Sequence, residues 1–219
     1  MTRLQSELQR LYRLDDADAA SGQVRALGLA LGRPADWEAL SKVWQGVQGD
    51  LALPAPAIAV SGIDGYQIWF SLAQAWPLDQ ATAFLDSVRA RYLRDIEAHR
   101  IDLMLEAPKV PAVQAQAGQW SAFVAPDLAP VFADTPWLDI PPSPDGQADL
   151  LSRLESIQHN DFQRALDRLQ PAPPAATSAA QDGLTNTPSP KTFLLQVMND
   201  DTVEMRLRIE AAKALLPYA

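Results

Sequence analysis

The stretch AIAVSGIDGYQIWFSL, residues 57 to 72, constrains the fold more than any other part of the chain. Two apolar segments flank an Asp-Gly turn, which is the sequence pattern of a β-hairpin. Alternation along the second strand predicts one apolar face, formed by Tyr66, Ile68, Phe70 and Leu72. The opposite face carries Gln67, Trp69 and Ser71. The chain is therefore expected to build a sheet whose two faces differ in chemistry, one of them packed against helices.

The segments on either side of the hairpin alternate between helical and strand patterns. Apolar residues at a period of 3.6 indicate helices, and compact apolar runs indicate strands. Asp79 is a suitable N-cap for the helix that follows the hairpin. The predicted elements are helix 3–13, strand 24–31, helix 33–51, hairpin 57–72, helix 79–94, strands 101–105, 110–114 and 120–125, and helices 147–157 and 160–169. This order predicts an α+β domain over residues 1–170, with a mixed or antiparallel sheet and packed helices.

The C-terminal part of the chain differs in composition from the rest. Residues 171–190, PAPPAATSAAQDGLTNTPSP, contain nothing that could form a core and predict a flexible linker. Residues 191–219 predict a helical hairpin that resembles a single HEAT-type unit and, more loosely, the helical tails of some phage packaging-related proteins. An isolated two-helix unit leaves its apolar face uncovered. We expect this face to contact the globular domain, a second copy or a protein partner through Phe193, Leu194, Val197, Met198, Leu207, Ile209, Leu215 and Leu216.

Composition excludes several classes of site. The chain has no cysteine, which excludes disulfides, thiol catalysis, thiolate zinc sites and iron–sulfur clusters. His99 and His159 lie far apart without metal-ligand spacing, and we expect both to be solvated residues at helix ends. Nucleotide-binding glycine motifs of the Walker and Rossmann types are absent. The sequence therefore predicts no metal and no cofactor.

Charge and hydropathy bear on partners and location. The formal net charge of −9 disfavours binding to nucleic acid, although an acidic chain can still carry a local basic groove. The opening residues are charged, and the most apolar stretch, LALPAPAIAV, is short and interrupted by Pro54 and Pro56. We therefore expect a soluble, cytoplasmic protein that does not bind membranes.

Residues 24–94 resemble the archaeo-eukaryotic primase superfamily, and above all the polymerase domain of bacterial end-joining ligases. The resemblance rests on element order, on the strand end Leu29-Ala30-Leu31-Gly32-Arg33-Pro34, and on the turn Ser61-Gly62-Ile63-Asp64-Gly65-Tyr66-Gln67. In the family the strand ends Asp-Leu-Asp-Pro and the turn reads Ser-Gly-x-x-Gly-hydrophobic-His. The resemblance implies an RRM-type core whose sheet carries the nucleotide site.

The catalytic residues of that family are missing from this chain. The two metal-binding aspartates fall at Ala30 and Gly32, and the phosphate-contacting histidine falls at Gln67. A third family carboxylate corresponds to Asp102. Because divalent metals require oxygen ligands, the resemblance implies no nucleotidyl transfer. It implies at most a nucleotide-binding surface, at Ser61, Gly62, Gly65 and Gln67. Strand alternation adds Trp69 to this candidate surface, because it shares a face with Gln67.

Three alternatives stay open from the sequence. The Ser61–Gly65 turn can be an ordinary hairpin turn, and Trp69 a packing residue rather than a stacking platform. The chain can be an adaptor that works through its C-terminal hairpin. It can also be an enzyme of unrecognised type, if the fold brings Asp102, Glu106 and Asp139 into one cleft.

Overall fold

The computed structural model describes residues 1–114, 118–169, 205, 206 and 209. Contacts divide the chain into two units, Met1–Pro174 and Ala175–Ala219. The predicted linker at 171–190 lies outside the described residues, and so does most of the predicted C-terminal hairpin. Of its expected contact residues only Ile209 is described; it is helical, as is Met205, and both side chains are exposed. The contact residues outside the description are Phe193, Leu194, Val197, Met198, Leu207, Leu215 and Leu216.

The first unit is built from six α-helices and five strands. The helices are α1 Arg3–Tyr12, α2 Asp16–Ala20, α3 Trp37–Gly49, α4 Leu78–Tyr92, α5 Pro144–Ser152 and α6 His159–Leu169. The strands are β1 Gln23–Gly32, β2 Ala57–Val60, β3 Gly65–Pro77, β4 Ile101–Met104 and β5 Ala122–Val124. Two short 3-10 helices lie at Ala98–Arg100 and Ala129–Phe132. The α+β prediction is therefore confirmed.

All five strands pair antiparallel, in the order β4-β1-β3-β2-β5. The chain order β1-α3-β2-β3-α4-β4 with this strand order is the split βαβ, ferredoxin-like arrangement. β5 extends that four-stranded core beyond β2. The predicted hairpin is β2 and β3, with Val60 opposite Tyr66. Beyond the end of β2, residue 157 adds a short parallel pairing to β3 through hydrogen bonds between Ile157 N and Ser71 O and between Ala73 N and Ile157 O.

The first face of the sheet packs against α3, α4 and α6. It carries the main core, which includes Leu27, Leu29, Leu31, Ile68 and Phe70. A chain of aromatic contacts joins α6 to this core. Ring centroids are 5.5 Å apart for Phe70–Phe84, 4.9 Å for Phe84–Phe162, 4.7 Å for Phe162–Trp76 and 4.6 Å for Trp76–His159. His159 is the first residue of α6 and is exposed, as predicted, and His99 is exposed in the 3-10 helix Ala98–Arg100.

The opposite face, which we call the second face, comprises Ala26, Gly28 and Ala30 of β1, Ala57 and Ala59 of β2, Gln67, Trp69 and Ser71 of β3, and Asp102 and Met104 of β4. Helices α1 and α5 cover part of it and form a second, smaller core. Arginines hold α1 in place: Arg25 donates to Arg10 O and Arg13 O, and Arg10 donates to Leu151 O and Leu154 O. No helix in the described part of the chain covers the rest of the second face, which faces the loop that follows β4.

The outer edge of β5 is closed by a side chain. The amide of Gln147, on α5, accepts a hydrogen bond from Phe123 N at 2.7 Å and donates one to Phe123 O at 2.9 Å. This pair of bonds replaces the neighbouring strand that the buried edge lacks.

Several local predictions were inaccurate, and α2 was not predicted at all. Asp79 is not the N-cap of α4, because β3 runs directly into the helix and Pro77 occupies that position. Residues 110–114 form no strand and make only an isolated pairing of Val113 with Trp120; Pro111 has no N–H for a ladder. Helix α5 begins at Pro144, three residues earlier than predicted, after the cap Ser143, and it ends at Ser152, five residues before the predicted end. Among the described residues, no helix has the length and apolar character that crossing a membrane requires.

Candidate functional site

The turn between β2 and β3 is organised by Ser61. Its hydroxyl oxygen accepts hydrogen bonds from the backbone N–H groups of Ile63, Asp64 and Gly65, at 3.1, 3.0 and 3.0 Å. Its own N–H donates to Gly65 O at 2.8 Å. Serine side chains commonly stabilise turns in this way. The Ser61 hydroxyl therefore holds the turn in shape, as the simple hairpin interpretation expects.

The two glycines of the turn allow close backbone approach. A Cβ on Gly65 would lie 2.4 Å from Leu31 O on the neighbouring strand. Gly62 has a φ of +80°, and a Cβ there would lie 2.7 Å from Ser121 N. The Gly62 N–H donates to Pro136 O at 2.9 Å. Both positions thus require glycine for packing of the turn against β1 and against the later loops.

Strand register brings the family-aligned positions into one row. Ala30 lies directly opposite Gln67 of β3 on one side and Asp102 of β4 on the other. Directly paired residues of antiparallel strands share a face, so these three side chains lie side by side on the second face. Gly32, the other aligned position, is paired with Gly65. The structure therefore gathers the aligned positions at one end of the second face.

The chemistry of this row is not that of a metal site. Ala30 and Gly32 contribute no side-chain oxygen. Asp102 is exposed, and its carboxylate forms an ion pair with Arg33 at 3.1 Å. Among the described residues, no group of three or more histidine, aspartate and glutamate side chains is arranged to hold a metal ion. In particular, Asp102, Glu106 and Asp139 form no such metal-holding group there.

Trp69 and Gln67 interact with each other on the second face. The indole Nε1 donates to Gln67 Oε1 at 2.9 Å. The indole is 4% exposed and lies against Gly28, where a Cβ would come within 2.8 Å of Trp69 Cζ3. Tyr12 of α1 contacts it edge-on, with ring centroids 6.4 Å apart. Trp69 is thus mainly a packing residue, which also fixes the orientation of the Gln67 amide.

A cavity of about 570 Å³, which we call the central cavity, lies beside this pair. Its volume is within the range typical of small-molecule sites. The residues that line it are Ser61, Gln67, Trp69, Leu103, Met104, Leu105, Glu106, Ala107, Lys109, Val110, Gln114 and Ser121. Three of the five predicted nucleotide-site residues, Ser61, Gln67 and Trp69, are in this set, whereas Gly62 and Gly65 shape the turn next to it.

The loop after β4 supplies the part of the cavity that sequence reasoning missed. Gln114 Nε2 donates to Ser61 O at 3.3 Å, which ties the loop to the turn. Glu106 and Lys109 are exposed at the rim and form a loose ion pair of 3.8 Å. No sequence signal identified Gln114, Met104 or Val110 as site residues, because only the tertiary fold brings the loop over the second face.

One ionisable group beside the turn has a shifted pKa. Burial, and secondarily the negative charge of Asp134, raises the pKa of Tyr66 to about 12. Its hydroxyl donates to Ala129 O at 2.7 Å. Tyr66 faces the helix side of the sheet, so it anchors the 3-10 helix Ala129–Phe132 and takes no part in the central cavity.

Comparison with known proteins gives no further assignment: no protein-family model matches the chain, and no curated protein matches it significantly.

Proposed function

We propose that the chain is a non-catalytic, primase-like domain that binds a nucleotide, or the end of a nucleic-acid strand, in the central cavity. The observation that carries the proposal is the row of Gln67, Ala30 and Asp102 on the second face, next to that cavity. These positions are the ones that the resemblance aligns with the phosphate-binding and metal-binding residues of the family. Their placement together supports a site retained in position and altered in chemistry.

Binding without catalysis follows from the residues present. Two-metal phosphoryl transfer needs carboxylates to hold the cations, and Ala30 and Gly32 supply none. Asp102 alone, paired with Arg33, leaves the metal set incomplete. The half-buried amide of Gln67 donates hydrogen bonds to a ligand but carries no positive charge for a triphosphate. Affinity is therefore expected to be independent of Mn²⁺.

Calorimetric titration of the full chain with nucleoside triphosphates, with and without Mn²⁺, tests the proposal. We expect binding in both conditions, weakened by Gln67→Ala. The matched control is Gln80→Ala, since Gln80 is exposed on α4 on the other side of the sheet. No heat at millimolar nucleotide would exclude the nucleotide function.

A variant that adds a carboxylate, and with it a possible metal site, tests the same reasoning. Ala30→Asp would place a carboxylate directly opposite Asp102. Nucleotide binding should then become stronger in the presence of Mn²⁺, because two facing carboxylates can bind a divalent cation. A different result would show that the domain is a working catalyst: metal-dependent template extension by the unchanged protein that Asp102→Ala abolishes.

A second candidate function is that of an adaptor working through residues 191–219. Met205 and Ile209 favour it: both are helical, they are four residues apart, and their side chains are 66% and 48% exposed. Residues at this spacing share one face of a helix. Deletion of residues 185–219 tests it. An unchanged oligomeric state and unchanged retention of partners would exclude the adaptor function.

A further inference from the structure

Two glutamine side chains in the central cavity have amide orientations that are fixed by hydrogen bonds to neighbouring groups. Gln67 Oε1 is occupied by the indole N–H of Trp69, which can only donate. This leaves Gln67 Nε2, a donor, with no hydrogen-bond partner among the described residues. Gln114 Nε2 is occupied by the carbonyl of Ser61, which can only accept. This leaves Gln114 Oε1, an acceptor, likewise unpaired within the described part of the chain.

The surroundings of the two amides are largely apolar. Both glutamines are half-buried, and the cavity between them is walled by Met104, Leu105 and Val110. Half-buried amide groups that face apolar walls lose hydrogen bonds to water and favour a ligand that replaces those bonds. The cavity therefore presents the unpaired donor of Gln67 and the unpaired acceptor of Gln114, with the second N–H of Gln114 Nε2 beside them, to a ligand with apolar surfaces.

We propose that Gln67 and Gln114 read the hydrogen-bonding edge of a planar heterocyclic base inserted into the central cavity. This inference rests on the proposed nucleotide-binding function and specifies which part of the ligand the protein recognises. The edges that pair bases in nucleic acids place an acceptor next to a donor, as a uracil carbonyl beside its ring N–H, or the adenine ring nitrogen beside its amino group. Such an edge accepts from Gln67 Nε2 and donates to Gln114 Oε1.

The polarity of the pair gives a directed specificity change. Gln67→Glu keeps the length of the side chain and an oxygen for the Trp69 N–H, and it replaces the free donor by an acceptor. Two acceptors then face the ligand. Guanine presents two neighbouring donors, its ring N–H and its amino group, whereas uracil presents a single donor. The variant should therefore favour guanine over uracil.

Calorimetric titration of the full chain with UMP, GMP, AMP, CMP and ribose 5-phosphate measures this recognition. We expect the nucleotides to bind at least about tenfold more tightly than ribose 5-phosphate, which lacks a base. Gln67→Glu should raise the ratio of GMP to UMP affinity by roughly 10- to 100-fold, the range of one base-reading hydrogen-bond pair. Gln80→Glu makes the same charge change on exposed α4 and should leave the ratio unchanged.

A second variant covers the case in which Gln67→Glu does not fold. Gln114→Met removes the acceptor and keeps an unbranched side chain, so it should weaken all four nucleotides by about tenfold and leave ribose 5-phosphate unaffected. If nucleotides and ribose 5-phosphate bind equally, or if both variants leave every ratio unchanged, base reading is wrong while nucleotide binding stands. If none of the five compounds binds, the proposed function itself is wrong.

Discussion

Replacing Gly65 by alanine is expected to damage the contact between the hairpin turn and β1. The added Cβ would lie 2.4 Å from Leu31 O and 2.7 Å from Gly32 Cα. Both neighbours are backbone atoms of a central strand, so no side-chain rotation relieves the overlap and the strands must separate. Overpacking of this kind costs typically about 1–3 kcal/mol, and a backbone clash belongs at the upper end. For a domain of this size, about 3 kcal/mol lowers the Tm by roughly 6–12 °C.

Thermal unfolding followed by circular dichroism measures this effect, with Gly49→Ala as the matched control. Gly49 is in the last turn of α3, and a Cβ there meets no atom within 4 Å. That substitution should be neutral or should stabilise the protein by up to about 1 kcal/mol, because alanine favours helices over glycine. A Tm of Gly65→Ala within 2 °C (about 1 kcal/mol) of the unchanged protein would refute the argument, since it would show that β1 and the turn are not in tight contact.

Three further predictions concern buried polar groups. Tyr12→Phe should raise the unfolding free energy, measured by chemical denaturation, by about 1 kcal/mol, because the Tyr12 hydroxyl is buried without a hydrogen-bond partner among the described residues. A lower unfolding free energy would instead indicate that a water occupies the adjoining void of about 10 Å³. The protonated Tyr66, whose pKa is raised to about 12, contributes stability that is complete below pH about 10 and is lost as the pH rises towards 12. Between pH 9 and pH 11 the unfolding free energy should therefore fall more for the unchanged protein than for Tyr66→Phe. Equal falls in the two proteins would contradict this. Gln147→Leu leaves Phe123 N–H and C=O unpaired, so it should cost roughly 2–4 kcal/mol in the same assay, whereas an unchanged midpoint would show that the edge needs no cover.

The sheet could be predicted from the sequence because its signals are local. Alternation in residues 66–72 assigned each side chain of β3 to a face, and the register confirms this division: Ile68 and Phe70 belong to the main core and Trp69 to the smaller one. The apolar run at residues 24–31 likewise corresponds to β1. The alternative that Trp69 is a packing residue rests on the high average burial of large aromatic side chains, and the 4% exposure of Trp69 agrees with it.

The lining of the cavity could not be predicted in the same way. Gln114 lies in a loop, and its hydrogen bond to the carbonyl of Ser61, 53 residues earlier in the chain, helps to place it in the same cavity lining as Gln67. Sequence patterns report on periodicity within a segment, and they carry no information on which loop returns to which turn. The prediction of a strand at residues 110–114 was wrong for a related reason: these residues pack through side chains and single hydrogen bonds rather than through a ladder.

The arginine ties of α1 have a consequence for how the protein is made. Arg10 lies at the beginning of the chain, and the carbonyl it holds on Leu151 is 141 residues away. A ribosome that adds about 5–20 residues per second therefore completes all five strands before the partner of the first helix emerges. During those seconds the growing chain exposes the smaller core to other proteins in the cell. Chaperone engagement with nascent chains should accordingly persist until α5, and then α6 of the main core, have left the exit tunnel, and truncation before residue 144 should yield an aggregation-prone product.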